Sequence, residues 1–332
     1  MGIQNRLQIF LITYNRAACL DRTLAQVLAD DSPVRDFDIT ILDNKSTDGT
    51  VDVIRKWQAV RSNLKHIRHN RNISGNGNIV RAMELATKEY LWTLCDDDEY
   101  DWLGWKELEA RVNAGDDLIC VADYLLDFRT RNLPEYQMWQ MSFVPAIVAR
   151  TSLFTETLMR NAYDSIYTMF PHLVLVVSYL NAGGKIYTLT KHVLDRGHAV
   201  NSDDFVRGCV REEVFVRNRQ MNWLVGYANI VTNIKDHSLV RRCFGALLDG
   251  PTASRIGRWE FYAQIFLLFR GRENKMHLVD IMQVVGPWSR MIIRIICFVQ
   301  NTPLYWVALR FREWHARWIA RAVLYEGGAS PR

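Results

Sequence analysis

The sequence predicts an α/β fold with a mostly parallel sheet, helices on both faces, and a helical C-terminal extension. Two observations lead to this prediction. Short apolar runs rich in strand-forming residues alternate with segments of helical periodicity in the first half of the chain. Polar residues, several of them aspartates, directly follow three of these runs. Such alternation is typical of consecutive βαβ units, which build parallel sheets with right-handed crossovers.

The strands are indicated by apolar runs that end in polar or turn-forming residues. Leu7 to Ile12 is the first run, and a segment with helical spacing follows it. We predict further strands at 38–42, 66–68, 91–95, 118–122 and 185–189. Helices are predicted over Asn78 to Tyr90 and over Pro171 to Ala182. Pro171 suits the first turn of a helix, and Gly183 suits the C-terminal cap.

Length and composition are those of a globular protein with one large domain or one domain plus an appendage. The chain has 332 residues, 49% of them apolar. We expect the α/β domain in residues 1–204 and a helical region in residues 205–332. The six cysteines show no CxxC spacing, which favours reduced thiols over a zinc site or disulfides. No signal peptide or spanning segment is recognisable, so a cytoplasmic location is expected.

Three predicted strands end in polar residues: Thr13 to Asn15, Asp43 to Asn44, and Asp96 to Asp98. In a parallel sheet these ends share one edge, where ligands of α/β proteins bind. Asp96 and Asp98 would point to the same side if the strand continued, and adjacent carboxylates repel one another without a cation. Carboxylate oxygens suit Mg²⁺ or Mn²⁺, which would join them to a diphosphate. The alternative is an acidic loop or a helix cap.

Asp43 is the second informative carboxylate. At a strand end it can accept a hydrogen bond from the N–H of a nucleobase. The alternative is that it caps the turn of residues 46–49, a role that Asp48 could fill instead.

Four segments, taken in order, resemble the family 2 glycosyltransferases of GT-A fold. They are Ile12-Thr13-Tyr14-Asn15-Arg16, Leu42-Asp43-Asn44-Lys45-Ser46-Thr47-Asp48-Gly49-Thr50, Asn72-Ile73-Ser74-Gly75-Asn76-Gly77-Asn78, and Leu94-Cys95-Asp96-Asp97-Asp98. The last resembles the DxD motif of that family. The resemblance implies an inverting transferase that moves a sugar from a nucleoside-diphosphate donor. If Asp43 reads the base, a pyrimidine donor, UDP or dTDP, is expected over GDP.

The resemblance also implies roles for individual residues. Asp43 would hold the nucleobase, Asp96 would lie near the ribose, and Asp98 would bind the metal. The other expected contacts to the nucleotide sugar come from Thr13, Asn15, Asn78 and Asp97.

The catalytic base departs from the family pattern, which places a carboxylate at the start of a later helix. Here that helix opens Phe170-Pro171-His172-Leu173, so His172 takes the place of the carboxylate. A helix N-terminus disfavours imidazolium, which would keep the ring neutral and able to accept a proton. His172 could instead simply pack at the helix start, and Asp164 is the alternative base.

The loop Asp195-Arg196-Gly197-His198 follows the last predicted strand. In the family a His or Arg from this loop often closes on the diphosphate. The resemblance therefore implies that Arg196 contacts phosphate and His198 binds the metal. A solvated loop is the alternative.

Charged residues are distributed unequally along the chain. Residues 1–204 carry 22 Lys and Arg against 27 Asp and Glu, whereas residues 205–332 carry 19 against 9. Tryptophans and arginines alternate in the C-terminal third, which favours an amphipathic region at an anionic membrane surface. We therefore expect a peripheral enzyme at the inner membrane face with a glycan or lipid-linked acceptor. Packing on the core or on a second subunit is the alternative.

Other classes of function fit the sequence less well. A nucleic-acid binder would want a basic footprint, which the acidic N-terminal region opposes. A nucleotidyltransferase would show a glycine-rich basic loop after the first strand, and residues 13–20 contain no glycine. A catalytically impaired nucleotide-binding scaffold remains the alternative, because the usual base carboxylate is missing.

Overall fold

A computed structural model describes residues 2–121, 132–195, 223–249, 282, 287–300 and 302. The chain divides into two compact units, Met1–Ala253 and Ser254–Arg332. The predicted domain boundary at residue 204 lies outside the described residues, so it stays a prediction.

Six of the nine described strands lie close to predicted positions, whereas the strands at 99–100, 147–150 and 194–195 were not predicted. In chain order the strands are β1 Leu7–Thr13, β2 Ile39–Asp43, β3 Leu64–Arg68, β4 Tyr90–Cys95, β5 Glu99–Tyr100, β6 Leu118–Cys120, β7 Ile147–Arg150, β8 Tyr187–Thr188 and β9 Leu194–Asp195.

The helices of the first unit begin with a single turn before β1. In chain order they are α1 Ile3–Arg6, α2 Ala17–Val27, α3 Thr50–Gln58, α4 Ser74–Leu85, α5 Trp105–Ala114, α6 Pro134–Gln140, α7 Glu156–Asp164, α8 Leu173–Asn181, α9 Trp223–Val231 and α10 His237–Asp249. The described helix of the second unit is α11, Pro287–Gln300. No described helix is both long and apolar enough to cross a bilayer.

Among the described residues, seven strands form the main sheet in the order β3-β2-β1-β4-β7-β6-β8. β1 pairs in parallel with β2 and β4, and β2 pairs in parallel with β3. β7 alone runs against its neighbours β4 and β6. The predicted mostly parallel α/β sheet is confirmed.

Side chains of β4 point alternately to the two faces of the sheet, and helices cover both faces. Tyr90, Trp92 and Leu94 join the core cluster on the face that α2, α3 and α5 cover. The side chains between them point the other way: Leu91 and Thr93 face α4 and α8. Successive strand residues point to opposite faces, so a strand covered on both sides is apolar throughout.

A short two-stranded sheet follows the aspartates directly. β5 begins one residue after Asp98 and pairs antiparallel with β9, so that Glu99 lies opposite Asp195. On the far side of the sheet, the Asn181 side chain at the end of α8 donates to the carbonyl of Asn233, just beyond α9. Helices α9 and α10 thus belong to the first compact unit.

Candidate active site at the strand ends

Parallel pairing brings three polar strand ends to one edge of the sheet. Thr13 lies opposite Asp43 on β2, and Ile12 lies opposite Cys95 on β4. The amide of Asn44 donates to the carbonyl of Thr13 at 3.0 Å, which extends the β1–β2 ladder beyond the strands. The predicted convergence of these polar segments is therefore present.

Asp43 is fully buried beneath this edge. Its Oδ1 accepts from the amide of Ser46 at 2.7 Å, and its Oδ2 lies 3.2 Å from Nε of Arg68 and 3.6 Å from Nε2 of His66. Burial by itself would raise the pKa of Asp43, but the contacts from His66 and Ser46 outweigh it and hold the pKa below its usual value. The carboxyl group is thus kept ionised.

The turn after β2 uses both of the aspartates considered for it. Asp43 accepts the amide of Ser46, as described, while Oδ1 of Asp48 accepts the amide of Thr50 at 3.0 Å. Turn capping by Asp43 is therefore present. A carboxylate oxygen has two lone pairs, so this bond leaves capacity for a ligand.

Asn15 and Asn78 tie the loops of the edge together. The Oδ1 of Asn15 accepts the amide of Thr47 at 2.7 Å, and the amide of Asn15 donates to Oγ of Ser46 at 2.9 Å. The buried Asn78 donates from Nδ2 to the carbonyl of Leu42 at 3.0 Å. In the described structure both side chains act as braces for the loops.

Left-handed backbone recurs at this edge. Asn15, Lys45 and Ser74 have φ values of 50°, 66° and 70°. They follow β1, β2 and β3 respectively. Such conformations cost about 1–3 kcal/mol each for residues other than glycine and cluster at functional sites. Asparagine tolerates them best, which suits position 15.

Asp96 does not share a direction with Asp98 in the way that an extended strand would require. β4 ends at Cys95, and residues 96–97 form a turn, which interrupts the alternation. Asp96 accepts the hydroxyl of Thr13 at 2.6 Å and lies 3.2 Å from NH1 of Arg16. Burial raises the pKa of Asp96 to about 6, against the opposing effect of Arg16. Asp96 therefore faces the end of β1.

Arg16 is the functional candidate that sequence reasoning missed. Its NH1 lies 2.5 Å from Asp97 and also reaches Asp96, so one guanidinium compensates two carboxylates. Burial would lower the pKa of Arg16, but the two aspartates raise it above its usual value. Arg16 ends the 12–16 segment that carries the family resemblance, directly after the first strand, and this position could have marked it as a candidate.

The turn after β4 also offers a group of possible metal ligands. One ligand atom each from Cys95, Asp97 and Asp98 lies within 4.8 Å of the others. Burial, reinforced by Asp98 and Asp97, raises the pKa of the Cys95 thiol well above its usual value. Sulfur is also a soft ligand that suits Mg²⁺ and Mn²⁺ less well than oxygen does. The two carboxylates remain, and their oxygens fit Mg²⁺ or Mn²⁺.

His172 is buried and lies immediately before α8. It is 5% exposed, and its Nε2 lies 3.1 Å from the carbonyl oxygen of Ser142. It lines a small interior gap together with Ile79, Met83 and Thr93. Burial lowers the pKa of His172 to about 4, so the neutral ring expected from the helix start is present, but desolvation is its main cause.

Asp164 has the opposite environment. It is exposed at the end of α7. Two residues later, the carbonyl of Ile166 accepts the side chain of Asn76 at 2.7 Å, which joins this turn to the glycine-containing segment. Asp164 is thus open to solvent beside that segment.

Arg196 and His198 lie outside the described residues. The last described residue before them is Asp195, in the strand that pairs with Glu99. Their roles stay predictions.

A family model described as "Glycosyl transferase family 2" matches residues 8–176, just over half of the chain. This range contains all four sequence segments that carry the resemblance and every strand end described above.

Curated relatives match over shorter regions. The chain is 24% identical over 181 residues to an uncharacterized glycosyltransferase of Mycoplasma pneumoniae, which covers 53% of this chain and 60% of that protein. It is 26% identical over 157 residues to the poly(ribitol-phosphate) beta-N-acetylglucosaminyltransferase TarP of Staphylococcus aureus, covering 45% of this chain and 46% of TarP. The chain thus spans about half the length of these relatives.

Among solved structures, residues 1–349 of S. aureus TarS in complex with UDP resemble this chain with a TM-score of 0.53 at 15% identity. The match covers 93% of this chain and 91% of that one. At this identity the likeness concerns the fold, and it agrees with the GT-A fold predicted from the sequence.

The burial of neutral His172 predicts a specific loss of stability in acid. Because its pKa is lowered to about 4 in the folded chain, the unfolded chain binds the proton first as pH falls below about 6.5. Relative to His172→Gln, which does not titrate but can still donate to the Ser142 carbonyl, the native chain should lose about 3 kcal/mol between pH 7 and pH 4. Urea unfolding at several pH values measures this. Parallel pH curves for the two proteins would contradict it.

Proposed function

The chain belongs to glycosyl transferase family 2, and on that premise we propose that it transfers a sugar from a nucleoside-diphosphate donor to an acceptor hydroxyl. The observation that carries the proposal is the convergence of Asp43 with Asp96, Asp97 and Asp98 at one sheet edge. A nucleotide sugar has a polar base at one end and an anionic diphosphate at the other. Asp43 would accept a hydrogen bond from the base, and a cation held by Asp97 and Asp98 would bind the diphosphate.

We assign the nucleobase to Asp43. Its carboxylate is ionised and held by Ser46 and Arg68, and it would accept the N3–H of uracil or thymine once the groups that cover it in this structure move aside. This favours UDP or dTDP donors, and the UDP bound in the TarS structure agrees with that class. Thr13, Asn15 and Asn78 support the pocket by fixing its loops, and Asp96 would lie near the ribose.

We assign the metal to Asp98 together with Asp97, with Mg²⁺ or Mn²⁺ as the ion. When bound, the ion would neutralise the diphosphate and so stabilise the leaving group. Arg16 already compensates Asp97 and Asp96 and supplies positive charge beside the same turn. Arg196 and His198 are proposed to complete the site from the loop after β9, whose partner strand β5 begins at Glu99.

The metal assignment predicts the effect of Asp98→Asn. Changing a residue that only contacts a metal ligand typically lowers metal affinity by roughly 10–100-fold. Because Asp98 is assigned as a direct ligand, its loss should lower Mn²⁺ affinity by more than that, and the metal-dependent part of UDP affinity should disappear. Titration calorimetry of Mn²⁺ and of UDP with and without Mn²⁺ measures both. Glu99→Gln is the matched control, because it removes the same charge from the next residue, which is exposed. Equal Mn²⁺ affinity in the Asp98 and Glu99 variants would refute the assignment.

The nucleobase assignment predicts a selective loss in Asp43→Asn. UDP binding should weaken by about 1–3 kcal/mol, the cost of leaving a buried polar partner unsatisfied, while inorganic pyrophosphate should bind as before. The amide oxygen of the introduced asparagine can still accept the amide of Ser46, so the turn is preserved. Competition calorimetry with UDP, dTDP, GDP and pyrophosphate measures the selectivity. An equal loss for pyrophosphate and UDP would show that Asp43 acts only through the turn.

For the catalytic base we keep two candidates, His172 and Asp164. His172 is neutral at physiological pH but lies below the surface, whereas Asp164 is exposed beside the glycine-containing segment. Either would act by accepting the proton of the acceptor hydroxyl.

The two candidates differ in a measurable way. The variant that removes the base should lower kcat by roughly 10²–10⁴ with nearly unchanged UDP affinity. Turnover of a panel of UDP-, dTDP- and GDP-sugars is compared in His172→Gln and Asp164→Asn. The larger kcat loss identifies the base. If the native chain binds UDP tightly but neither transfers nor hydrolyses any of these donors, the nucleotide-binding scaffold replaces the enzyme.

We also propose that the acceptor is a glycan or a lipid-linked glycan at the inner face of a membrane. The acidic first 204 residues and the basic remainder support this, because a basic region near an anionic leaflet keeps the site close to a membrane-bound acceptor.

A further inference from the structure

Helix α11 of the second compact unit leaves one apolar face uncovered. Four large side chains on it are exposed: Trp288 by 76%, Met291 by 45%, Ile295 by 53% and Phe298 by 70%. Their spacing of three, four and three residues places them on one side of the helix. We call these four residues the apolar stripe. Ile293, away from the stripe, is fully buried, so the helix has both a packed side and an open one.

The remaining exposed apolar residues of the described chain do not form such a row. Val60 and Leu103, exposed by 69% and 60%, sit singly in loops of the first unit. Scattered residues of this kind are normal on protein surfaces, whereas a contiguous row marks an interaction surface.

Positive charge flanks the apolar stripe. Arg290 and Arg294 are both exposed and lie four residues apart, on a face adjacent to the stripe. We call them the arginine pair. No acidic residue occurs in α11, and residues 254–332 carry 12 Lys and Arg against 5 Asp and Glu. The partner is therefore expected to be anionic as well as apolar.

Other occupants fit this surface less well. The described part of α11 is 14 residues, or two heptads, which is short of the three or four heptads by which a coiled coil is recognised. A second copy would also bring like charges together. A nucleic acid would satisfy the arginine pair but leave methionine, isoleucine and phenylalanine in water.

We propose that α11 lies in the surface of an anionic bilayer, with the apolar stripe below the headgroups and the arginine pair among them. A tryptophan at the end of an apolar face, with arginines beside it, is the arrangement of an interfacial helix. This goes beyond the proposed transfer reaction and does not depend on the donor site.

The test compares binding of the full chain to vesicles of phosphatidylcholine with and without phosphatidylglycerol, by co-sedimentation. Trp288→Ser/Phe298→Ser should lower partition into anionic vesicles by roughly tenfold or more, through lost apolar burial. Arg290→Gln/Arg294→Gln should lower it about 25-fold, at about fivefold for each arginine, and this loss should shrink as salt is raised. Val60→Ser/Leu103→Ser is the matched control and should bind like the native chain.

Two further measurements keep the outcome unambiguous. Brominated lipid should quench tryptophan fluorescence less in Trp288→Phe than in the native chain, and thermal unfolding checks that each variant is folded. The proposal is overturned if the native chain stays in the supernatant with anionic vesicles, or if the stripe variant binds them as the native chain does. A stripe variant that converts a dimer to a monomer with unchanged vesicle binding would identify a subunit interface instead.

Failure of this proposal and failure of the transferase proposal can be told apart. Asp98→Asn should retain vesicle binding, and the stripe variant should retain UDP binding. Loss of both properties in either variant would indicate misfolding, which the unfolding curves reveal.

Discussion

The parallel pairing of β1 with β2 and β4 is the constraint on which the candidate site depends. Because Thr13 lies opposite Asp43 and Ile12 opposite Cys95, polar segments from three distant parts of the chain end at one level of the sheet. A shift of one residue in either pairing would turn these side chains into the opposite helical layer. Alternate residues of β1 and β4 pack together in one core cluster, and a shifted register would take them out of it.

Buried charge is the second physical theme of this edge. Asp43 and Asp96 lie on neighbouring strand ends and are both almost inaccessible, yet their pKa values move in opposite directions. For Asp43 the contacts from His66 and Ser46 outweigh desolvation. Asp96 has Thr13 and Arg16, and these do not. For Asp96, burial and the neighbouring charge of Asp97 outweigh these contacts, so the balance between desolvation and local contacts decides the direction in which each pKa moves.

The same logic connects the turn after β4 to a bound ion. Asp97 and Asp98 approach each other because the strand ends at Cys95 and the chain turns. Like charges at close range are unfavourable, and Arg16 relieves part of that repulsion on one side of the turn. A divalent cation bound to Asp97 and Asp98 would relieve more of it. In the proposals made above, the acidic site would meet an ion with a diphosphate, and the α11 surface would meet lipid headgroups.

Local pattern was enough to predict six of the nine described strands, the polar strand ends and the family to which the chain belongs, because hydrophobic periodicity and short motifs are properties of neighbouring residues. It missed β5, β7 and β9, whose antiparallel pairings join distant parts of the chain. Interactions between distant residues were decided only by the tertiary structure. The bond of Thr13 to Asp96 and the ion pairs of Arg16 join residues 80 or more positions apart. The burial of His172 depends on Ser142, 30 residues away. Alternation predicted one direction for Asp96 and Asp98, and the turn that begins at Asp96 changed it, because a period of two holds only while the chain stays extended.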